Sequence, residues 1–243
     1  MIDDVTQLRR LETMRQDFVA NVSHELKTPV TAIRGFVETL IDDPSLPSAT
    51  RRRFLEKVQV QSERLSNLVT DLLSLSRLEA ETGALELEPI DARDPALASL
   101  RALRGSAEAK HLAIRAELPE IPVWIMADEE ILRQAITNLL DNAIKYTPEH
   151  GCVGLRLAAK GDHALIEVED DGPGIDLRHQ GRIFERFYRV DKARSREVGG
   201  TGLGLAIVKH VARAFGGTVT LDSTPGRGSI FRILLPRTHT NQW

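Results

Sequence analysis

The sequence predicts two domains of different class: an all-α helical hairpin that dimerises into a four-helix bundle, then an α/β two-layer sandwich. Three observations carry this reading. Residues 5–81 contain no glycine except Gly35, as a long helical segment requires. Within them Phe54, Val58, Gln61, Leu65, Leu68, Leu72 and Leu75 recur at alternating spacings of four and three, the seam of a bundle or coiled coil. Beyond residue 83, short strand-like runs alternate with helical ones and are punctuated by glycine-rich turns.

The first helix carries Leu8, Leu11, Phe18 and Val22 on one stripe. Two prolines and several cap-forming residues in Asp42-Asp43-Pro44-Ser45-Leu46-Pro47-Ser48 make the helix-helix connection. Two helices with one apolar stripe each bury little by themselves, whereas two such hairpins close a core, so a homodimer is expected. The helical pattern ends at Ala80-Glu81-Thr82-Gly83, which places the domains at residues 1–83 and 84–243 with Gly83 as the hinge. In the second domain Asp94 caps a helix with Pro95 at its first position. Strands are expected at 112–118 and 123–126, a helix capped by Asp128 and reaching Tyr146, and adjacent strands at 153–159 and 164–168. A glycine-rich, polar region covers 170–204 and leads into a helix over 205–215. Two final strands, 218–221 and 229–235, flank the turn Thr224-Pro225-Gly226-Arg227-Gly228.

Among the 243 residues, 42% are hydrophobic and 28% charged, the balance of an ordinary globular protein. A formal net charge of −3 with dispersed basic residues argues against a nucleic-acid binder. Cys152 is the only cysteine, so no disulfide forms within the chain, which fits a reducing compartment. The chain has neither a long apolar run nor a signal-peptide start. It reads as cytoplasmic, without membrane contact of its own, and compatible with a membrane-anchored region upstream.

The chemistry starts at His24. Phe18, Val22 and Leu26 share one helical face and His24 falls off it, which leaves the imidazole to solvent. Neutral imidazole is a nitrogen nucleophile near physiological pH. It needs one free ring nitrogen while the other holds a proton, and the adjacent Glu25 carboxylate can accept that proton's hydrogen bond. Thr28, one turn on, can position a water. Pro29 stands inside the same helical pattern, where it removes a backbone hydrogen bond.

On the helix capped by Asp128, Asn138, Asn142 and Lys145 form a polar stripe opposite an apolar face of Leu132, Ile136, Leu139, Leu140, Ala143 and Ile144. Amide oxygens suit Mg²⁺ bridged to phosphates and Lys145 suits phosphate charge, although a solvated face explains the stripe equally well in isolation. In Asp170-Asp171-Gly172-Pro173-Gly174 a carboxylate can accept from an adenine amino group and the glycines let backbone approach a flat base; a plain turn is the blander alternative. Gly199-Gly200-Thr201-Gly202-Leu203-Gly204 opens a helix and can offer N–H groups to phosphate oxygens. It lacks the lysine of a P-loop and the preceding strand of a dinucleotide fingerprint. The aromatic-rich segment 183–189 reads either as a mobile cover over a nucleotide or as a short packed helix and loop.

Ser23-His24-Glu25-Leu26-Lys27-Thr28-Pro29 resembles the H-box of sensor histidine kinases of the HisKA type, and is most like that of the phosphate-regulon sensor kinases. Asn138 and Asn142, Asp170-x-Gly-x-Gly174, Phe184 and Phe187, then Gly200-x-Gly-x-Gly204 resemble, in this order, the N, G1, F and G2 boxes of the Bergerat-fold ATPases; Gly226-Arg-Gly-Ser229 is similar to the last glycine box. The likeness spans residues 18–236. It implies His24 as phosphoacceptor, Glu25 as the base that orients it and Thr28 as a phosphatase-assisting residue. It implies an ATP site with Mg²⁺ and phosphates at Asn138 and Asn142, a phosphate at Lys145 and adenine at Asp170. Tyr146 flanks the nucleotide, Gly172 and Gly174 line the base, and Arg189, Lys192, Gly200, Thr201, Gly202, Leu203 and Gly204 serve the phosphates. Hydrolytic relatives carry a glutamate where this sequence has Asn138, and an amide is no general base, which favours transfer over hydrolysis. The implied partner is the receiver domain of a response regulator, whose aspartate takes the phosphoryl group from His24. Two alternatives remain open: a phosphatase of that regulator, and a non-catalytic dimeric scaffold.

Overall fold

The structure is a computed structural model that describes residues 2–79, 87–191 and 200–238, with side chains described from Phe18 onward. The expected hinge at Gly83 lies outside the described residues, as does Lys192. The chain forms two compact units, one built on the helical hairpin through Leu72 and one holding most of the remainder.

The hairpin consists of α1, Ile2–Asp42, and α2, Ser48–Glu79. At the connection Asp43 accepts from the backbone N–H of Ser45 at 3.0 Å and from its hydroxyl at 2.6 Å, and Arg51 donates to the Pro44 carbonyl at 2.8 Å. Antiparallel register is fixed at two rungs: Phe36 stacks on Phe54 with centroids 5.7 Å apart, and Arg64 reaches Glu25 at 3.1 Å. The seam expected on α2 holds, since its seven members are all buried or half-buried while Leu55, Val60, Val69 and Leu73 between them are exposed. On α1, Val19, Val30, Val37 and Ile41 are exposed in the single chain. Their spacings of eleven, seven and four keep them on one stripe.

The second unit is a two-layer α/β sandwich. Its main sheet has five strands in the order β2-β4-β5-β7-β6. They are β2 Ala113–Glu117, β4 Cys152–Lys160, β5 His163–Asp170, β6 Thr218–Thr224 and β7 Gly228–Pro236. Only the β2–β4 pairing is parallel; the other three are antiparallel. Helices α3 Arg93–Ala109, α4 Glu129–Tyr146 and α6 Gly204–Ala214 form the second layer, and a short α5, Leu177–Gln180, lies between β5 and α6 in the chain. Period-two alternation sends Val153, Leu155, Leu157, Ile166, Val168, Phe231, Ile233 and Leu235 into the core. Opposite them, all six apolar residues expected on the inner face of α4 are buried. The outer face mixes Leu165, Ile230 and Leu234 with a charged cross-strand pair, Arg232 with Glu167 at 2.6 Å.

Two expectations need correction. The strand β1, Glu88–Asp91, pairs antiparallel with β3, Trp124–Ala127, and had no signal beyond its length of four residues. Asp94 does not cap α3. The helix begins two residues earlier, with Ala92 at the cap position and Pro95 third, where the first turn still needs no N–H donor from it. The carboxylate that ties down this start is Asp91, which accepts from the N–H groups of Arg93 and Val123, each at 3.1 Å, and pairs with the Arg93 guanidinium at 2.7 Å. The Asp128 cap is as expected, accepting from Ile131 N–H at 3.0 Å.

Because Asp91 is buried and serves three donors, Asp91→Ala strands them together. The expected loss is about 2–4 kcal/mol. Urea denaturation followed through Trp124, the residue paired with Asp91, measures it. A loss below about 1 kcal/mol would contradict this account.

Candidate functional site

The nucleotide-facing candidates gather around α4 and the inner-face end of β5. Asp170 is the last residue of β5, where Val153, Asp170 and Ser229 share one cross-strand row. It faces the helical layer and is buried. Its Oδ1 accepts from the Gly172 N–H at 2.9 Å. Burial pushes the carboxyl up to about 6, against the hydrogen bonds from the backbone of Gly172 and Ser229 that favour the charged form; the charges of Asp171 and Glu169 push the same way as burial.

A side chain at Gly172 would meet both the Asp170 carboxylate and the Tyr146 carbonyl, so glycine there is what lets the end of α4 approach β5. Gly174 has φ +68° and lies against the Thr224 carbonyl, a position no L side chain can share. The loop between them is anchored on all sides. Gly226 N–H donates to the Pro173 carbonyl at 2.8 Å and Ile175 N–H donates to Ser223 Oγ at 2.8 Å. Gln180 donates to the carbonyls of Ile175 and Ser223, at 2.8 and 2.9 Å. Ser223 and Ser229 hydroxyls are 3.0 Å apart. Sequence reading missed Ser223 and Gln180, whose bonds from Ile175 to Ser223 and from Gln180 to Ser223 span 48 and 43 positions.

The middle of α4 meets the glycine-rich segment. Asn138 Nδ2 donates to the Gly204 carbonyl at 3.5 Å, and a Cβ at Gly204 would lie 3.4 Å from Asn138 Cγ. Gly204 is the first residue of α6, whose cap position, Leu203, provides no side-chain cap, and whose first helical bond runs from Ile207 N–H to the Leu203 carbonyl. The N-terminus of α6 therefore opens beside Asn138 with the positive end of its dipole. Asn142 stands one turn on, half-buried, between Asn138 and Tyr146. At about 1.5 Å per residue, α4 spans on the order of 12 Å from Asn138 to Tyr146. Lys145 pairs with Asp141 at 2.6 Å. Lys110 caps the same helix from α3, donating to the Ile144 and Lys145 carbonyls at 2.8 Å each.

Phe187 N–H donates to the Gly202 carbonyl at 2.8 Å, with Phe187 at φ 60° and Gly202 at φ +75°. Phe184 packs edge-on against Phe231 and Ile183 is buried, so the first half of 183–189 is packed rather than a free cover. Residues 181–187 form turns, not the short helix of the alternative reading. Arg189 follows, half-buried; Gly200 and Thr201 are also half-buried.

In the hairpin, His24 is exposed on α1, as its position off the apolar face requires. Thr28 donates its hydroxyl to the His24 carbonyl at 3.0 Å, one turn back. Pro29, inside α1 and buried, supplies no N–H to the Glu25 carbonyl. Glu25 Oε2 accepts from Arg64 of α2 at 3.1 Å, a partner that nothing in the local sequence announces.

Comparison with known proteins agrees with this division. Residues 14–81 match the His Kinase A (phospho-acceptor) domain, and residues 127–239 match the histidine kinase-, DNA gyrase B- and HSP90-like ATPase family. The phosphate regulon sensor protein PhoR of Pseudomonas aeruginosa is 45% identical over 95% of this chain, which spans 52% of that protein's length. Among solved structures, the Acinetobacter baumannii histidine kinase AdeS is 28% identical with a TM-score of 0.71, covering 89% of this chain and 98% of that one. The mycobacterial sensor histidine kinase MprB is 33% identical with a TM-score of 0.54, covering 62% of this chain and 97% of that one. Phosphoacceptor hairpin and ATPase sandwich, matched in sequence and in order, mean that the chain belongs to the sensor histidine kinases of the HisKA type.

Proposed function

We propose that this chain is the kinase core of a two-component sensor: it moves the γ-phosphoryl group of ATP to His24 and passes it to an aspartate on the receiver domain of a response regulator. The observation that carries this is the pairing of an exposed histidine on the phosphoacceptor hairpin with a nucleotide-sized row along α4, from the α6 N-terminus at Asn138 to the buried carboxylate of Asp170.

Adenine binds with its amino group donating to Asp170, and its edge against the backbone at Gly172 and Gly174. Phosphates lie along Asn142 and Asn138 toward the N–H groups that open α6, with Lys145, Arg189 and Lys192 supplying positive charge. Asn138 and Asn142 present hard amide oxygens one turn apart, and no cluster of three His, Cys, Asp or Glu side chains occurs among the described residues. That donor set suits a Mg²⁺ ion shared with phosphates and water. When bound, Mg²⁺ neutralises phosphate charge. Asn138 also keeps a general base away from the γ-phosphate, so ATP waits for the histidine.

One ring nitrogen of His24 attacks the γ-phosphorus. The N–P bond forms as the bond from phosphorus to the β,γ-bridging oxygen breaks, and that electron pair leaves with ADP. The other ring nitrogen holds its proton against the Glu25 carboxylate during the attack and releases it to water as the neutral phosphohistidine forms. Thr28 supports a phosphatase activity as well: its O–H is committed to the His24 carbonyl, which leaves its oxygen turned acceptor-side to a water. The exposed stripe of Val19, Val30, Val37 and Ile41 supports a homodimer closed through a four-helix bundle. A domain boundary at Gly83 and a place on the cytoplasmic side of a membrane-anchored sensor complete the proposal. No helix among the described residues is long and apolar enough to cross a membrane.

Incubation with γ-labelled ATP and Mg²⁺ tests the reading. Acid-labile label is expected on the wild-type chain and none on His24→Ala or Asn142→Ala. Unlabelled wild type that still binds ATP would favour a phosphatase or a scaffold, which dephosphorylation of a regulator then separates.

Asp170 makes a second, independent prediction. Its carboxyl lies at about 6 in the folded unit against an ordinary 3.8, so the fold holds an extra proton between those values. That contribution to stability is present below about pH 4 and is lost as pH rises through about 6. Asp170→Asn should therefore stabilise the nucleotide-free chain at pH 7 by about 2–3 kcal/mol while abolishing ADP binding. Adenine recognition needs the carboxylate, so wild-type affinity for ADP should fall about tenfold per unit below pH 6. Calorimetric titration across pH 5–8 measures both. Affinity that stays flat to pH 5 would remove Asp170 from adenine recognition.

A further inference from the structure

The ion pairs along the surface of the hairpin, Arg34 with Glu38 and Arg52 with Glu56, are i,i+4 pairs whose side chains are more than half exposed. Such pairs contribute little and are unremarkable. Arg64 and Glu25 differ. They join α2 to α1 across 39 positions of sequence, with side chains only 12% and 20% exposed. A shielded pair gives up hydration on both charges, and an apolar pair of similar volume would serve the hairpin at least as well. The desolvated pair is nevertheless placed beside His24. Register agrees: Phe36 opposite Phe54 and Glu25 opposite Arg64 put residues 64–66 at the level of His24.

We infer that Arg64 is a positioning residue for phosphorylation of His24, resting on the reading of His24 as phosphoacceptor. The guanidinium takes Oε2 of Glu25 through Nη2 and so ties that oxygen to α2. The backbone cooperates, because Pro29 is the residue whose N–H would otherwise bind the Glu25 carbonyl, and its ring crowds the same carbonyl. Arg64 thus holds the side chain of Glu25, while Pro29 leaves its carbonyl without the helical donor.

The role follows from charge balance. Attack on the γ-phosphorus makes the N–P bond, breaks the bond to the bridging oxygen and sends that electron pair out on ADP. The imidazole becomes an N-phosphorylated imidazolium whose N–H is held by Glu25. The carboxylate, tethered by the guanidinium, sets its oxygens beside the ring. It orients the ring and stabilises the cation, and the proton departs to water as the neutral phosphohistidine forms. Arg64 never touches nucleotide or phosphorus in this scheme; it acts through Glu25.

The test uses the full chain and five variants: Arg64→Met, Arg64→Gln, Arg64→Lys, Glu25→Gln and the double Glu25→Gln/Arg64→Met. Initial rates of acid-labile labelling are read against ATP concentration, with thermal melting as the folding control. Arg64→Met and Arg64→Gln are expected to lower kcat about ten- to a hundredfold with the KM for ATP within about twofold. Arg64→Lys should recover part of the loss, since an ammonium keeps the charge and a donor but not the reach of the guanidinium. In the Glu25→Gln background, Arg64→Met should cost less than about twofold more, because the intermediary is already gone. Wild-type rates in both neutral variants would overturn the inference, as would losses that multiply in the double variant. Normal labelling followed by faster loss of label from phospho-His24 in Arg64→Met would also overturn it, by making Arg64 a contact of the phosphoryl group. Absence of label on the wild type overturns both this role and the kinase reading, which separates that failure from the others.

Discussion

A carboxylate buried at the end of β5 is the constraint around which the ATPase unit is arranged. Asp170 sits in a row of otherwise core-directed residues, with desolvation raising its proton affinity and backbone donors opposing it. A charge so placed survives only where the main chain comes to it. Gly172 makes that approach possible for its own N–H and for the end of α4. Gly228, at φ +93°, does the same for the turn between β6 and β7, lying against the Asp170 carbonyl. Ser223 and Gln180 then lock the loop after β5 to that hairpin. Glycines that read from the sequence as a turn are, in the fold, the contact surfaces of one buried acid.

The same architecture shows which features a sequence declares. Periodicity declared the α2 seam, the inner face of α4 and the alternation of β4, β5 and β7, because each is set by neighbours three, four or two residues away. Asp128 was legible as a cap for the same reason. Asp91 was not, since one of its acceptor bonds comes from Val123, 32 positions away and just before β3, and Asp94-Pro95 offered a local cap signature that the chain does not use. Nor was Arg64, whose partner lies on the other helix. Candidate nucleotide residues were legible as ordered motifs, yet their common dependence on α4 emerges only when β5 and α6 are placed against it.

Along the hairpin the opposing demands are regularity and reactivity. An uninterrupted helix would satisfy every main-chain group and leave His24 an ordinary surface residue. At this point of α1, Thr28 sends its hydroxyl to the His24 carbonyl, Ser23 sends its own to Val19, and Pro29 withdraws the donor due to Glu25. Hydroxyl back-bonds bend helices slightly, and proline does so more strongly. Packing compensates: Pro29 is buried, Phe36 stacks on Phe54, and Lys57 lies over Phe36 at 5.3 Å. Hydroxyl back-bonds recur at Thr39 and Ser62, so it is Pro29 that sets apart the turn carrying the proposed chemistry.

Helix α4 reconciles the two ends of the proposed nucleotide site, and its polarity explains which end is which. A helix presents partial positive charge at its N-terminus and negative charge at its C-terminus. The C-terminus of α4 lies by Asp170, where an accumulating negative field would make the buried carboxylate still harder to ionise. Lys110 meets that problem directly, placing an ammonium on the Ile144 and Lys145 carbonyls. At the other end of the row the N-terminus of α6, open and beside Asn138, brings positive field to where phosphates are proposed to lie. An acceptor for an amino group and a cradle for anions thus arise from two helix ends of opposite sign, separated by two turns of α4. In the proposed site the separation favours one orientation of a nucleoside triphosphate, adenine toward Tyr146 and phosphates toward Gly204, since the reverse would bury anionic oxygens against a carboxylate.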